Sequence, residues 1–372
     1  MSVSIRFNTK ANRQFFITLN KRVQAYFKET GKSPHADTQM VIKTFVMLAT
    51  YFVPFGLILT GWLPLWGMLL ATVVMGAGMA GIGMSVMHDA NHGAYAKNKT
   101  LNTIIGYMLN VVGGTRYNWI IQHNVLHHTY TNIPETDGDI AGAGVIKLEV
   151  TKPPKKIYRY QHIYAWFLYG LMTFFWVTVK DFKQLVQFSK QGLKAGKHDN
   201  VAKEWAILIT TKVVYYAVML GLPMLLLDIA LWQWFIGFFV MHFTGGIIMS
   251  VVFQLAHVVE HTEQPMPDEE GKMQYNWAVH QLHTTANFAR KNRFLNWYVG
   301  GLNFQIEHHL FTHICHVHYP KLSEIVKETA EEYGIPYYEF KTMREAVGSH
   351  YRMLKQLGSA TEVPQRPTKQ AA

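Results

Sequence analysis

Cysteine is almost missing, Cys315 being the single one among 372 residues. That excludes an intramolecular disulfide framework and argues against a cysteine-built zinc or iron–sulfur site. Charge is scarce as well. Asp, Glu, Lys and Arg make up 16% of the chain, where a soluble domain carries about 25%. Acids are the rarer sign, 24 Asp and Glu against 35 Lys and Arg, which leaves a net charge of +11. No short apolar core with a small-residue cleavage site follows the basic start (Arg6, Lys10, Arg13, Lys21, Arg22), so no secretory signal peptide is expected.

What is there is apolar and aromatic. Hydrophobic residues make up 49% and aromatics 14%, at a mean hydropathy of only +0.02. That balance describes a chain divided between membrane spans and polar segments. The surplus of basic charge then points to an anionic membrane surface and not to nucleic acid.

Four stretches reach the roughly 20 apolar residues that a bilayer crossing needs: 44–63, 66–87, 205–227 and 231–256. The linkers at Pro64 and Asp228 are too short and apolar for cytoplasmic loops, and Lys and Arg collect in the other segments. The positive-inside rule therefore puts both termini and the middle region on the cytoplasmic side. The expected fold class is all-α integral membrane, with four transmembrane helices forming two hairpins below a helical cytoplasmic cap that holds a histidine-ligated di-metal site. A fifth run, 163–179, is expected to lie in the interface, because a crossing there would put His123–His128 and His308–His309 on opposite sides. Residues 1–40 read as a basic cytoplasmic arm on lipid headgroups and 41–320 as the membrane and catalytic domain. Residues 321–358 read as a cytoplasmic helical region, and 359–372 as a disordered tail. Gly76, Gly78, Gly81 and Gly83 suit close helix packing in lipid. Lys212 is expected to snorkel toward the cytoplasmic face, and His242 reads equally as a functional group or as an imidazole satisfied by a carbonyl.

Nineteen histidines stand out, and their positions matter more than their number. The second span runs into His88-Asp-Ala-Asn-His92, and residues four apart share a helical face. His123-Asn-Val-Leu-His127-His128 repeats the pattern with an added neighbour. The fourth span runs into His257-Val-Val-Glu-His261, and Gln305-Ile-Glu-His308-His309 sets its polar residues at i, i+3 and i+4. A lone pair of this kind is usually a solvated surface face; four clusters assigned to one side of the membrane reverse that expectation. His88, His92, His123, His127, His128, His257, His261, His308 and His309 give nine candidate ligands. A tetrahedral zinc takes four, so nine suggest two ions; imidazole nitrogen suits Zn, Cu, Fe or Ni, and affinity alone selects none of them. His257-Val-Val-Glu260-His261 also fits an inverted zinc-protease pattern, but that leaves the other clusters unexplained. A metal transporter is the better rival, although transporter sites sit near the bilayer midplane and these histidines lie beyond the span ends.

The three groups His88/His92, His123/His127/His128 and Gln305/His308/His309 resemble the histidine boxes of membrane fatty acid desaturases, in order and in spacing, over roughly residues 44–319. The run Asn303-Phe-Gln-Ile-Glu-His-His-Leu-Phe311 is similar to the front-end (delta-6-like) group, which inserts a double bond on the carboxyl side of an existing one; sphingolipid desaturases share that Gln box. The resemblance implies two non-haem irons, O2 as co-substrate, and a fatty acyl chain carried on CoA or a lipid. It implies a bacterial inner-membrane or endoplasmic reticulum location with the site facing the cytoplasm. The His-Pro-Gly-Gly motif of a fused cytochrome b5 domain is absent, so a separate electron donor is expected, of ferredoxin, flavodoxin or cytochrome b5-like type. Hydroxylases and ketolases share the scaffold. Relatives of the stearoyl type have His where Gln305 stands and Asn where His257 stands, which suggests that His257 supplies the nitrogen that Gln305 does not. Asp89 and Glu307, and more weakly Asp137 and Asp139, are expected to orient imidazoles. No ligand role is expected for His280 or His283, which are spare or outer groups. Trp119 matches a tryptophan that shapes the acyl tunnel in stearoyl-type relatives, and reads equally as a packing aromatic.

Overall fold

The computed structural model describes residues 5–142, 144–196 and 199–363, and the expected tail beyond 363 lies outside them. The chain is mostly helical. A helix α1, Arg13–Thr30, opens it. Its buried stripe of Phe15, Leu19 and Val23 packs in one core with Leu322, Val326 and Ala330 of a later helix, so the basic arm docks on protein along one face.

Four helices are long and apolar enough to cross a membrane: α2 Thr38–Leu59, α3 Leu65–Asn91, α4 Val201–Leu226 and α5 Leu231–His257. Each begins some residues earlier or ends later than its apolar run, because polar caps such as Asp37, which accepts from the Met40 N–H, lie outside the greasy stretch. α3 is gripped between α2 and α5 by its glycines. A Cβ at Gly76 would stand 2.5 Å from the Met241 carbonyl oxygen, and one at Gly78 would stand 2.7 Å from the Tyr51 nitrogen. Small residues here let backbones touch, which is the main source of helix attraction in lipid.

The run expected to lie flat in the interface is part of a bent pair. Lys156–Gly170 and Met172–Lys190 are together long and apolar enough for one span and bend by 56° at their junction. Gly170 packs against the Phe243 ring of α5, where a side chain would clash, so this elbow is held on the bundle. Lys212 of α4 departs from the snorkelling expectation. It is 3% exposed, donates to Asp181 Oδ2 at 2.7 Å and to the Gly113 carbonyl at 2.6 Å, and Asp181 also takes bonds from Thr115 and Trp176. A paired ammonium inside the protein removes the need to reach water.

Beyond the spans, β1 Ala286–Phe288 pairs in parallel with β2 Tyr338–Phe340. The helices Trp277–Thr284, Gln305–Leu310, Tyr319–Glu332 and Met343–Ser359 pack around them. This polar half sits against the ends of α3 and α5 and carries His280, His283, His308 and His309.

Candidate metal centre

Two backbone registers decide how the histidines meet. Met87–Asn91 is regular α-helix, so His88 and His92 share a face, with ring centroids 4.7 Å apart. Ile120–His127 is π-helical, and the His128 N–H bonds to the His123 carbonyl five residues back. In that wider register His123 lies over His128, their Nε2 atoms 3.1 Å apart. The expected i,i+4 partner, His127, is sent toward a second group. π-Turns inside helices are rare and cluster at functional sites.

The outcome is two adjoining groups. Ligand-capable atoms of His88, His92, His123 and His308 all lie within 4.8 Å of one another, as do those of His127, His257 and His309. His128 stands between them, its ring centroid 4.6 Å from His308 and 4.4 Å from His309. Eight of the nine candidates converge. His261 does not. α5 stops at His257 and Val258 leaves the helix, so the four-residue spacing no longer sets a common face; His261 is exposed and stacks on Tyr338.

Outer contacts differ from those expected. Asp137 Oδ2 accepts from His127 Nδ1 at 2.9 Å, while Asp139 stands 3.5 Å from the same nitrogen. Gln281 Oε1 accepts from His309 Nδ1 at 2.9 Å, the Tyr319 hydroxyl lies 3.3 Å from His308 Nδ1, and the Thr284 carbonyl lies 3.4 Å from His257 Nδ1. Glu307 touches none of these rings. It accepts from Asn287 at 2.8 Å and Tyr337 at 2.9 Å, tying the helix of the last box to β1, and burial pushes its carboxyl up to about 7. Asp89 faces His316, with His88 Nδ1 at 3.8 Å from its other oxygen. His280 bonds the Thr131 carbonyl and His283 bonds Glu263. Gln281, Thr284 and Tyr319 were invisible as partners in the sequence, since each is a common residue brought in from a distant segment.

The donor set fits metal ions. Among the described residues, Nε2 of His92, His127, His257, His308 and His309 is buried without a hydrogen-bond partner, a costly condition unless something binds there. Two nitrogens held at about 2.1 Å from one ion stand about 3 Å apart or slightly more, and His88 and His128 Nε2 lie 3.2 Å and 3.1 Å from His123 Nε2. Burial, reinforced by neighbouring imidazoles, holds His123, His128, His308 and His309 well below the ordinary histidine range, which keeps them neutral with lone pairs free. His127 is the exception. Burial opposes its charge, but Asp137 and Asp139 overturn that and raise it to about 9; the carboxylates make the site welcome a cation at Nε2. Gln305, one turn before His309, is 1% exposed with both amide atoms unpartnered.

Below the imidazoles a narrow apolar cavity runs between α3 and α5, lined by Met79, Gly83, Met87 and Met249. His242 and Thr173 also line it, His242 lying about 22 Å from His257 by helical rise. His242 is satisfied by the Tyr215 hydroxyl at 2.9 Å and the Thr173 hydroxyl at 3.3 Å. Trp119 packs on the histidines, its centroid 4.4 Å from His123 and 5.6 Å from both His88 and His92, and shares a core with Met79, Met87, Leu109 and Val112.

Clustered neutral imidazoles over an apolar slot in a membrane bundle can place a metal against an unactivated hydrocarbon. Comparison with known proteins agrees. The model of the fatty acid desaturase family matches residues 15–341. The chain is 37% identical over 358 residues to the sn-1 linoleoyl-lipid 6-desaturase of Synechocystis sp., covering 96% of this chain and 98% of the relative. It is 36% identical to the protein of the same name from Arthrospira platensis, over 91% of each. With the acyl-lipid (8-3)-desaturase of Physcomitrium patens it shares 33% identity over 93% of this chain and 72% of the relative. With the boxes gathered in space and the match running through nearly all of the bundle, the chain belongs to the fatty acid desaturase family and is an integral membrane oxidoreductase.

Proposed function

We propose that the enzyme introduces a double bond on the carboxyl side of an existing one in a lipid-linked acyl chain; its relatives from Synechocystis sp. and Arthrospira platensis are named sn-1 linoleoyl-lipid 6-desaturases. The observation that carries this reading is the set of unpartnered imidazole nitrogens gathered above an apolar slot. The metal is iron, two ions per chain. His88, His92, His123, His128 and His308 hold one; His127, His257 and His309 hold the other, with Gln305 beside it. His257 supplies a nitrogen that Gln305 cannot.

Bound iron supplies the activation of O2 that removal of two hydrogens from adjacent methylenes requires, since such C–H bonds offer no acid or base handle. The rest is done by the chain. Neutral rings present lone pairs. Asp137, Gln281 and Tyr319 fix ring tilt by accepting from Nδ1 or lying against it. Trp119 and the methionines around the slot give the centre an apolar side against which an acyl chain would lie, and they keep water away. Electrons arrive from a carrier of the ferredoxin, flavodoxin or cytochrome b5 class.

In the membrane, α2 with α3 and α4 with α5 form two hairpins, the bent pair lies in the interface, and the polar half caps them on the cytoplasmic face. The domain division proposed with these is residues 1–40 as an arm, 41–320 as the catalytic body and 321–358 as a helical region.

The test is expression in a host lacking polyunsaturates, feeding of defined acids, location of new double bonds by mass spectrometry, and iron analysis of the purified protein. A carboxyl-side double bond and about two irons per chain are expected. Hydroxylated products, or zinc with iron absent, would refute the reading.

A further inference from the structure

Two buried imidazoles of the cluster, His88 and His128, have an Nδ1 without a hydrogen-bond partner while Nε2 is engaged by another histidine; His88 is the one with a carboxylate next to it. The nearest carboxylate oxygen is Asp89 Oδ1 at 3.8 Å. The other oxygen of Asp89 is fully committed. Oδ2 accepts from His316 Nδ1 at 2.7 Å and faces the His316 main-chain N–H at 3.2 Å. A ring that donates from Nδ1 to a carboxylate presents Nε2 as an acceptor in its neutral form. Lys43 Nζ stands 2.6 Å from that atom. All three side chains are buried, Lys43 at 3% exposure, Asp89 at 2% and His316 at 3%.

These contacts run in one direction. The Lys43 ammonium donates to His316, His316 donates to Asp89, and Asp89 Oδ1 faces His88, one of two buried imidazoles that lack an acceptor at Nδ1. Lys43 comes from the first turns of α2, Asp89 from the end of α3, and His316 from the segment after the last box. Cys315 joins Asp89 and His316 in a triad whose ligand-capable atoms lie within 4.8 Å. That triad is not a metal site, because Lys43 already occupies the outward nitrogen of His316 with positive charge.

We propose that Lys43 and His316 are positioning residues that hold the Asp89 carboxylate as the acceptor for His88 and thereby set how firmly His88 holds its metal. This rests on the reading of His88 as a ligand. Two donors from one residue fix the carboxylate plane, and the ammonium behind them compensates its charge, so Asp89 is not drawn away to another cation. Partners of this kind typically change metal affinity by about 10- to 100-fold.

The test uses the full-length protein in detergent, loaded with iron, and follows the loss of iron to a chelator with Mössbauer spectra of the loaded state. The variant Lys43→Met/His316→Leu removes the donor and the cation behind it and leaves the Asp89 carboxylate buried without them, a condition that costs stability, so its folding is verified first. It is expected to release one of two irons about 10- to 100-fold faster and to alter one of two iron signals. His316→Asn, whose amide still donates to Asp89, is expected to restore most of the retention. Unchanged release and spectra in the double variant overturn the proposal. If the double variant does not fold, Lys43→Met alone decides: faster release of one iron supports the proposal and wild-type release overturns it. His88→Ala separates the two ideas. If it keeps all its iron, the ligand reading itself fails; if it loses iron while the double variant does not, only the positioning role fails.

Discussion

In the group formed by His127, His257 and His309, each Nδ1 faces an acceptor from another segment: the Asp137 carboxylate at 2.9 Å, the Thr284 carbonyl at 3.4 Å and the Gln281 amide at 2.9 Å. In the group formed by His88, His92, His123 and His308, the Tyr319 hydroxyl lies 3.3 Å from His308, and the carboxylates nearest His88 and His123 stand at 3.8 Å and 3.9 Å. The first-named group is built by hydrogen bonds and keeps its shape by itself. The other is built by ring packing, with Trp119 as its floor, and depends more on the ion to draw its nitrogens together. A hydrogen-bonded imidazole has its tilt fixed before the metal arrives; a packed one retains freedom to rotate.

The largest test removes a nitrogen from the hydrogen-bonded group. His309→Ala is expected to lose desaturation to below detection and about one iron per chain, measured by product analysis and metal content. Trp119→Phe, which keeps a ring against the other group, is expected to retain both irons while altering activity. Equal iron loss in the two variants would erase the distinction.

Acid should loosen the hydrogen-bonded group through a neighbour. His350 lies in the helix Met343–Ser359, its Nδ1 2.6 Å from the carbonyl of Val258, the residue after His257, and its Nε2 2.8 Å from the Tyr169 hydroxyl. Burial pushes His350 down to about 4. A histidine with a lowered folded-state value contributes stability in full above its unfolded value near 6.5 and loses it as pH falls toward 4. The shift corresponds to about 3 kcal/mol. Thermal unfolding in detergent should show a drop between pH 6.5 and 4 that His350→Gln flattens; the same drop in the variant would acquit His350.

Much of this was legible in sequence because it depends on local periodicity. The four spans and the face shared by His88 and His92 follow from apolar length and helical spacing, and the gathering of three boxes follows from the family resemblance. What was not legible depends on register or on distance along the chain. The π-turn over Ile120–His127 pairs His123 with His128 and frees His127, and nothing in an α-helical reading announces it. Lys212 reads as a snorkelling cation until Asp181 is brought to it from 31 residues away. Lys43 and His316 are 273 residues apart. Glu307 sits inside a box yet binds Asn287 and Tyr337, because a side chain between two ligands on a helix necessarily points elsewhere.

A smaller effect is expected from Asp137→Asn. The carboxylate oxygen that takes His127 Nδ1 also accepts the Asn132 N–H, and the other takes the Asp139 N–H. An amide can satisfy only some of these. Iron affinity should fall about 10- to 100-fold, with the loss confined to one of two irons in chelator competition. Loss of both together would mean that the two groups act as one unit.

The smallest effect is expected at His261, where spacing alone pointed to a ligand. The residue has φ 78°, a left-handed conformation that costs a side-chain-bearing residue roughly 1–2 kcal/mol. Its ring lies on Tyr338, centroids 5.8 Å apart, outside both histidine groups. His261→Ala should therefore keep both irons and wild-type activity. His261→Gly should be slightly more stable than His261→Ala, because glycine enters that conformation without strain although it gives up more chain entropy on folding, roughly 0.5–1 kcal/mol. His257→Ala is the matched partner: four residues away, buried, its Nε2 unpartnered, and within reach of His127 and His309. It should lose iron. The reverse pattern, with iron surviving in His257→Ala and vanishing in His261→Ala, would mean that the chain beyond α5 folds back onto the metal when it binds and that the hydrogen-bonded group is not preformed at all.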